Sequence, residues 1–284
     1  MADMDLYGIA INPIGQYSPF TGAFNGNGHI IKNVTIAQPN NSFIGLFSHV
    51  GEGGVITDLA IEKCNTAGLD YVGGLAGYND GGIISKCSAA GNIDAAGDYA
   101  GGLVGENHSG TINNSYSSGS VTAARYGGGL VGYNAFSGSI SKCYSTGAAS
   151  ASAYGRGFAG YNAAVNGITN SFWDSETSGQ TAGTEPVSSG VTGKTTSQMQ
   201  DIGTFTAAGW DYGLVWKQVA GTYPILKWQT FAADLNGDGL IDVEDILIIA
   251  ENWLEQGQGL QADINGDGFV DLLDYATLAQ QGQN

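Results

Sequence analysis

The chain repeats itself with a period that few folds can satisfy. Ile56, Ile84, Ile112, Ile140 and Ile168 recur every 28 positions. Gly45, Gly74, Gly102, Gly129 and Gly157 keep the same beat to within one position. Gly101-Gly-Leu-Val-Gly105 and Gly128-Gly-Leu-Val-Gly132 are the clearest copies. Gly73-Gly-Leu-Ala-Gly77 precedes them, Arg156-Gly-Phe-Ala-Gly160 follows, and Ile44-Gly-Leu-Phe-Ser48 is a degenerate first copy. Further columns run in register: Asn79, Asn107, Asn134 and Asn162; Tyr78, Glu106, Tyr133 and Tyr161; Tyr71, Tyr99, Tyr126 and Tyr154. A unit this small cannot bury its own apolar face, so the copies must stack. A helical repeat would need apolar spacing of i, i+3, i+4 sustained over about 10–12 residues. The repeats hold only short apolar stretches broken by Gly and Asn. That pattern predicts a mainly β chain, with each unit forming one coil of a right-handed parallel β-helix.

Stacking puts like residues above like, roughly 4.8 Å per rung. The Ile and Leu columns then form a dry interior, and the Asn column an amide ladder. Cys87 and Cys143 share a column with Leu59, Ser115 and Ser171 but stand two rungs apart, roughly 9–10 Å, too far for a disulfide. With Cys64 the cysteine count is odd, and no pair has metal-ligand spacing.

The repeat also carries a resemblance. Gly-Gly-Leu-Val-Gly-Glu-Asn, followed by Gly-Thr-Ile-Asn-Asn-Ser-Tyr-Ser-Ser-Gly-Ser-Val, within 101–121, resembles the GLUG motif. That family implies a bacterial secreted or cell-surface protein; its members include adhesins and the non-catalytic parts of immunoglobulin A peptidases. The resemblance extends over residues 1–228, and Met1-Ala-Asp-Met-Asp-Leu6 resembles an internal strand of such proteins, which predicts a truncated N-terminus or a misassigned start. The period stops after Gln180. The expected organisation is a solenoid over 1–180, a C-terminal solenoid cap over 181–230, rich in aromatics (Trp210, Trp216, Tyr223, Trp228), and a third module over 231–284.

That third module differs in kind. Net charge is −17, and residues 231–284 hold eleven acids with no Lys or Arg, which leaves −6 for residues 1–230. So dense an acidic segment repels itself unless cations join it, and it makes nucleic acid a poor partner. Asp234, Asn236, Asp238, Asp242 and Asp245 place oxygen side chains at positions 1, 3, 5, 9 and 12 of a loop. Gly239 stands at the sharp turn, and Leu240 can offer its carbonyl. Asp263, Asn265, Asp267, Asp271 and Asp274, with the Phe269 carbonyl, repeat the arrangement in a second loop. Calcium takes six to eight hard oxygens at flexible distances, which such loops supply.

Each loop is followed by one apolar segment, 246–254 or 275–278, with no helix before the first loop and Asp in the closing position. Both features resemble a type I dockerin over residues 234–280. The resemblance implies a small α-helical module binding two calcium ions. Their ligands would be Asp234, Asn236, Asp238, Leu240, Asp242 and Asp245, then Asp263, Asn265, Asp267, Phe269, Asp271 and Asp274. It also implies a cohesin-like partner, with self-association as a further possibility. Where cellulosomal dockerins often carry Ser-Thr, this chain has Val243-Glu244 and Leu272-Leu273.

Catalytic candidates are sparse. Stacking would place Asp70, Asp98 and Arg125 in one line, and two carboxylates about one rung apart have the spacing of a retaining glycosidase. The plainer reading is an exposed charge ladder, because nothing else converges there. Trp173, Asp174 and Glu176 form a second group at the motif's usual exit. His29, His49 and His108 are scattered, and no triad assembles. The tyrosine columns could stack on an extracellular glycan or simply on one another. No apolar run reaches the length of a membrane span. The leading expectation is a non-enzymatic secreted or surface protein serving adhesion, matrix or filament assembly, or carbohydrate binding. A polysaccharide-active enzyme, or an accessory module of one, is the alternative.

Overall fold

The computed structural model describes residues 3–229, 233–236, 241–257, 260–265 and 267–281. Two compact units emerge, Met1–Trp216 and Lys217–Asn284.

The first is a parallel β-solenoid of about six turns. Its turns build three sheets, of 14, five and four strands. The largest contains Val55–Gly68 and Ile83–Ala95, followed in later turns by shorter pieces such as Thr111–Asn113 and Ser139–Ser141. The second stacks Phe47–Val50, Ala76–Asp80, Val104–His108, Val131–Ala135 and Ala159–Asn162, and the third Val72–Gly73, Ala100–Gly101, Tyr126–Gly128 and Tyr154–Arg156. The register is the one the repeat predicts. Ile56 pairs with Ile84, Ile84 with Ile112, Ile112 with Ile140, and Ile140 with Ile168, all in parallel. These isoleucines are buried, as are Leu75, Leu103, Leu130 and Phe158 across the interior.

The glycine column has a steric cause. A Cβ at Gly102 would lie 2.2 Å from the Gly129 carbonyl oxygen, and one at Gly129 2.3 Å from that of Gly157. Only glycine permits that approach between rungs. The corners use a different device: Asp58, Lys86, Asn114, Lys142 and Asn170, which recur with the same period, all have φ between 47° and 52°.

Beyond the last repeat, Thr184 bridges Ala159, and Val191–Lys194 pairs with Ser171–Asp174. Trp173 fills the interior there, wedged against Gly157, Gly183 and Gly193, where any Cβ would strike its ring. Helices α1 (Thr196–Met199) and α2 (Ile202–Thr206) follow. Their aromatic neighbours lie on the flank of the large sheet. Phe205 and Trp210 pack on Phe172, and Trp216 on Tyr144 and Tyr116. The Trp210 indole donates to the Asn170 carbonyl at 2.9 Å and that of Trp216 to Asn114 Oδ1 at 3.4 Å. Segment 205–216 thus runs back along the outside of the stack.

The second unit holds α3 (Val243–Glu251) and α4 (Leu272–Gln281). Ala233, Leu235, Ile249, Ala262, Val270 and Leu278 form its small core. Among the described residues, no helix is long and apolar enough to cross a membrane.

Candidate functional site

The two acidic loops are closed in the same way. Asp245 Oδ1 accepts from the backbone N–H of Leu235 at 2.7 Å and Asn236 at 3.1 Å, and its Oδ2 accepts from Asp242 at 2.9 Å. Asp274 repeats this, with Ile264 at 2.8 Å, Asn265 at 3.1 Å and Asp271 at 2.8 Å. Both carboxylates are fully buried. Each belongs to the first turn of its helix and reaches back to the start of its loop, so helix and loop form one piece. In the second loop Asp263 accepts from the N–H groups of Asp267 at 3.1 Å and Gly268 at 2.9 Å. Gly268 makes the sharp turn at φ 89°, which favours glycine. Between the loops, 254–257 runs antiparallel to 268–270 through Leu254 N–H to Val270 O and Val270 N–H to Glu255 O.

These residues fit a calcium ion by chemistry. All donors are hard oxygens, and a carboxylate that accepts a backbone N–H keeps lone pairs for a cation. Among the described residues, no three His, Cys, Asp or Glu side chains converge on one point; Asp238, Gly239 and Leu240 lie outside the described residues. Lys217 is a feature that loop spacing does not reveal. Its ammonium stands 3.0 Å from Asp234 Oδ2, whose side chain is 1% exposed, so the first loop has a lysine against its opening carboxylate. Val243, Leu247, Leu272 and Leu273 leave apolar side chains exposed on the two helices.

On the solenoid, the aligned acids are held in structural bonds. Asp70 Oδ1 accepts the Asp98 backbone N–H at 2.7 Å, and Asp98 pairs with Arg125 at 3.2 Å. Asp174 is fully buried and accepts from Glu176 N–H at 2.8 Å, Thr177 N–H at 3.1 Å and the Thr196 hydroxyl at 2.8 Å, fastening the exit turn to α1. The three histidines pair separately, His29 with Asp3, His49 with Asp80 and His108 with Glu106.

The tyrosine column is a stack. Phe43, Tyr71, Tyr99, Tyr126 and Tyr154 have successive centroids 4.8–5.1 Å apart and ring planes within 7–22°. Interior rings therefore cover one another's faces and present edges outward. Faces are what a sugar ring would stack on, so this column serves packing. Burial pushes the Tyr99 phenol up to about 12, which keeps it neutral. Glu106 stands where neighbouring rungs carry Tyr78 and Tyr133. Its side chain is 7% exposed with His108 Nδ1 at 3.2 Å, and burial raises its carboxyl above the ordinary range. The odd acid in a tyrosine column is the visible sign of this site in the sequence.

The asparagine column is a continuous ladder. Asn79 Nδ2 donates to Asn107 Oδ1 at 2.8 Å, Asn107 to Asn134 at 2.9 Å, and Asn134 to Asn162 at 2.8 Å. Each of these three donors also reaches a carbonyl in its own turn, that of Gly82, Gly110 or Gly138, at 3.0–3.2 Å.

Comparison with known proteins agrees with both modules. Residues 68–94, 96–122 and 123–150 match the GLUG motif, and residues 232–281 match the dockerin type I domain. A 58-residue stretch is 38% identical to halomucin of Haloquadratum walsbyi, covering 20% of this chain and 1% of halomucin's length. A crystal structure of a candidate immunoglobulin A1 protease from Bacteroides ovatus aligns with a TM-score of 0.49 at 18% identity, over 80% of this chain and 84% of that one. Type I dockerins are in general calcium-binding modules that dock onto cohesins, and neither matched module is catalytic. Both point to an extracellular or surface protein. With its rungs, its loops and the two family matches taken together, the chain is a GLUG-motif β-solenoid with a type I dockerin domain at its C-terminus.

Proposed function

We propose that this is a secreted or surface-attached, non-enzymatic protein. Its tail is folded by two calcium ions and attaches it, while the solenoid makes contact with extracellular material in adhesion, matrix assembly or carbohydrate binding. The observation that carries this reading is the matched pair of loops, each closed by a buried aspartate that binds three backbone N–H groups. Two such carboxylates, with acids crowded around them, favour the folded tail only when a cation offsets the repulsion. The ligands in this reading are Asp234, Asn236, Asp238, Leu240, Asp242 and Asp245 in one loop, and Asp263, Asn265, Asp267, Phe269, Asp271 and Asp274 in the other. Attachment would use the apolar side chains exposed on α3 and α4, Leu272 and Leu273 among them, against a cohesin-like partner or a second copy. A non-enzymatic role is supported by Asp70, Asp98 and Arg125, whose polar groups are engaged with one another.

The test is calorimetric titration of metal-stripped protein with calcium. Two ions should bind per chain, with Asp274→Ala losing one of them. An absence of heat at millimolar calcium would remove the basis for the tail's role.

A further inference from the structure

The amide ladder has a direction, and its last member is left over. A carbonyl oxygen only accepts, so the glycine carbonyls of the turns fix the orientation of Asn79, Asn107 and Asn134: each Nδ2 faces its turn and the next rung. Asn162 accepts from Asn134 and has no asparagine beyond it. Its own turn runs through Asn166 at φ 54° and returns no carbonyl to it. Among the described residues the Asn162 Nδ2 group has no hydrogen-bond partner, although Asn162 is only 8% exposed. That amide group is not sealed off: it opens onto the space beside it.

The side of Asn162 that faces the next rung borders a cavity of about 970 Å³ between two turn segments, 163–167 and 186–190. Its polar lining comes from amides and hydroxyls, including Asn162, Asn166, Asn170, Ser189 and Thr192, with Tyr161 and Phe172 among the other walls. No Asp, Glu, Lys, Arg or His lines it among the described residues. Those facts constrain a ligand. An ionised ligand would lose its hydration without meeting an opposite charge. A purely apolar ligand would bury amide donors unsatisfied. An extended peptide would seek an unpaired strand edge; the wall offers one of only two residues, Ile168–Thr169, whereas side-chain amides and hydroxyls supply most of its polar groups. A neutral polyhydroxyl ligand offers acceptors to the amides and both donors and acceptors to the hydroxyls. The volume lies at the upper end for small-ligand sites, about 300–1,000 Å³, which leaves room for more than one sugar ring.

We infer that the groove at the solenoid's last turn, headed by the Asn162 amide, is a binding site for a neutral oligosaccharide. The inference rests on the solenoid as the contact-making part of the molecule, and it gives that part a site separate from the stacked tyrosines.

The test is calorimetric titration of the calcium-loaded full chain with neutral hexasaccharides of glucose, mannose, galactose, xylose and N-acetylglucosamine. A neutral serine- and asparagine-rich decapeptide and an oligogalacturonate run alongside. Saturable binding of at least one neutral oligosaccharide is expected, weakened at least about tenfold by Ser189→Arg and by Asn162→Leu. Asn162→Leu can disturb the ladder; Ser189 is an exposed turn residue, so Ser189→Arg tests the groove on an intact fold. The inference is overturned if no neutral oligosaccharide binds, if binding is indifferent to Ser189→Arg, or if only the peptide or the charged sugar binds. Calcium heats on the same samples report on the tail, so the two readings can fail separately.

Discussion

The two halves of this molecule solve the same problem by opposite means. In the solenoid, repetition makes the core: identical isoleucines lie over one another in every turn, and polar columns satisfy themselves along the stack. In the tail, eleven acids and no Lys or Arg follow residue 230, and among the described residues six small or aliphatic side chains form the buried core. The first design draws its core from the chain's own repetition. The second concentrates repulsion, which in the proposed reading calcium cancels. On that reading one protein combines a self-stacked part with a part whose folding follows its surroundings.

The largest effect should come from removing calcium. Chelation is expected to unfold residues 233–281 while solenoid amides stay protected from hydrogen exchange; simultaneous loss of protection in both units would erase the contrast. Next is the dry column. Ile112→Ala should cost the solenoid about 2–5 kcal/mol in denaturant melts and leave calcium heats unchanged. A calcium-binding defect in that variant would mean the halves are coupled.

Asn107→Leu should follow, at about 1–3 kcal/mol, because the Asn134 side-chain carbonyl loses its donor in a buried ladder. The smallest effect concerns Glu106. Burial raises its carboxyl in the folded state, opposed by the neighbouring His108. The folded form therefore holds this proton more tightly than the unfolded chain, and stability should fall as pH rises from below the ordinary carboxylate range through the elevated value. Glu106→Gln should flatten that slope in pH-dependent thermal melts; a slope unchanged in Gln would show that the acid does not titrate as its burial requires.

Much of the fold was legible because stacking converts sequence period directly into spatial neighbours. The isoleucine column, the asparagine ladder and the glycine approach all follow from side chains that recur once per turn, with no long-range information needed. The position of Trp210 and Trp216 was harder to read. They belong to no repeat, and only the tertiary path of 205–216 reveals that they cover Tyr116, Tyr144 and Phe172 from outside. The groove beside Asn162 was hidden for a related reason: it exists where the pattern ends, and no further Asn-bearing rung stacks on Asn162. Lys217 lies outside the calcium-loop pattern altogether, so its approach to Asp234 emerges only in three dimensions. The tyrosine column was visible, but its role depended on ring orientation, which a sequence does not encode.

The regularity of the register also makes this molecule an adjustable spacer. Excising residues 85–112 would join Ile84 to Asn113, which already holds, one turn on, the place that Ser85 holds after Ile84. Every column would close up on its own kind, and the stack would shorten by roughly 4.8 Å. Gene duplication could lengthen it by the same quantum. The distance between whatever the two ends hold can therefore change in fixed increments, while the surfaces at those ends stay as they are.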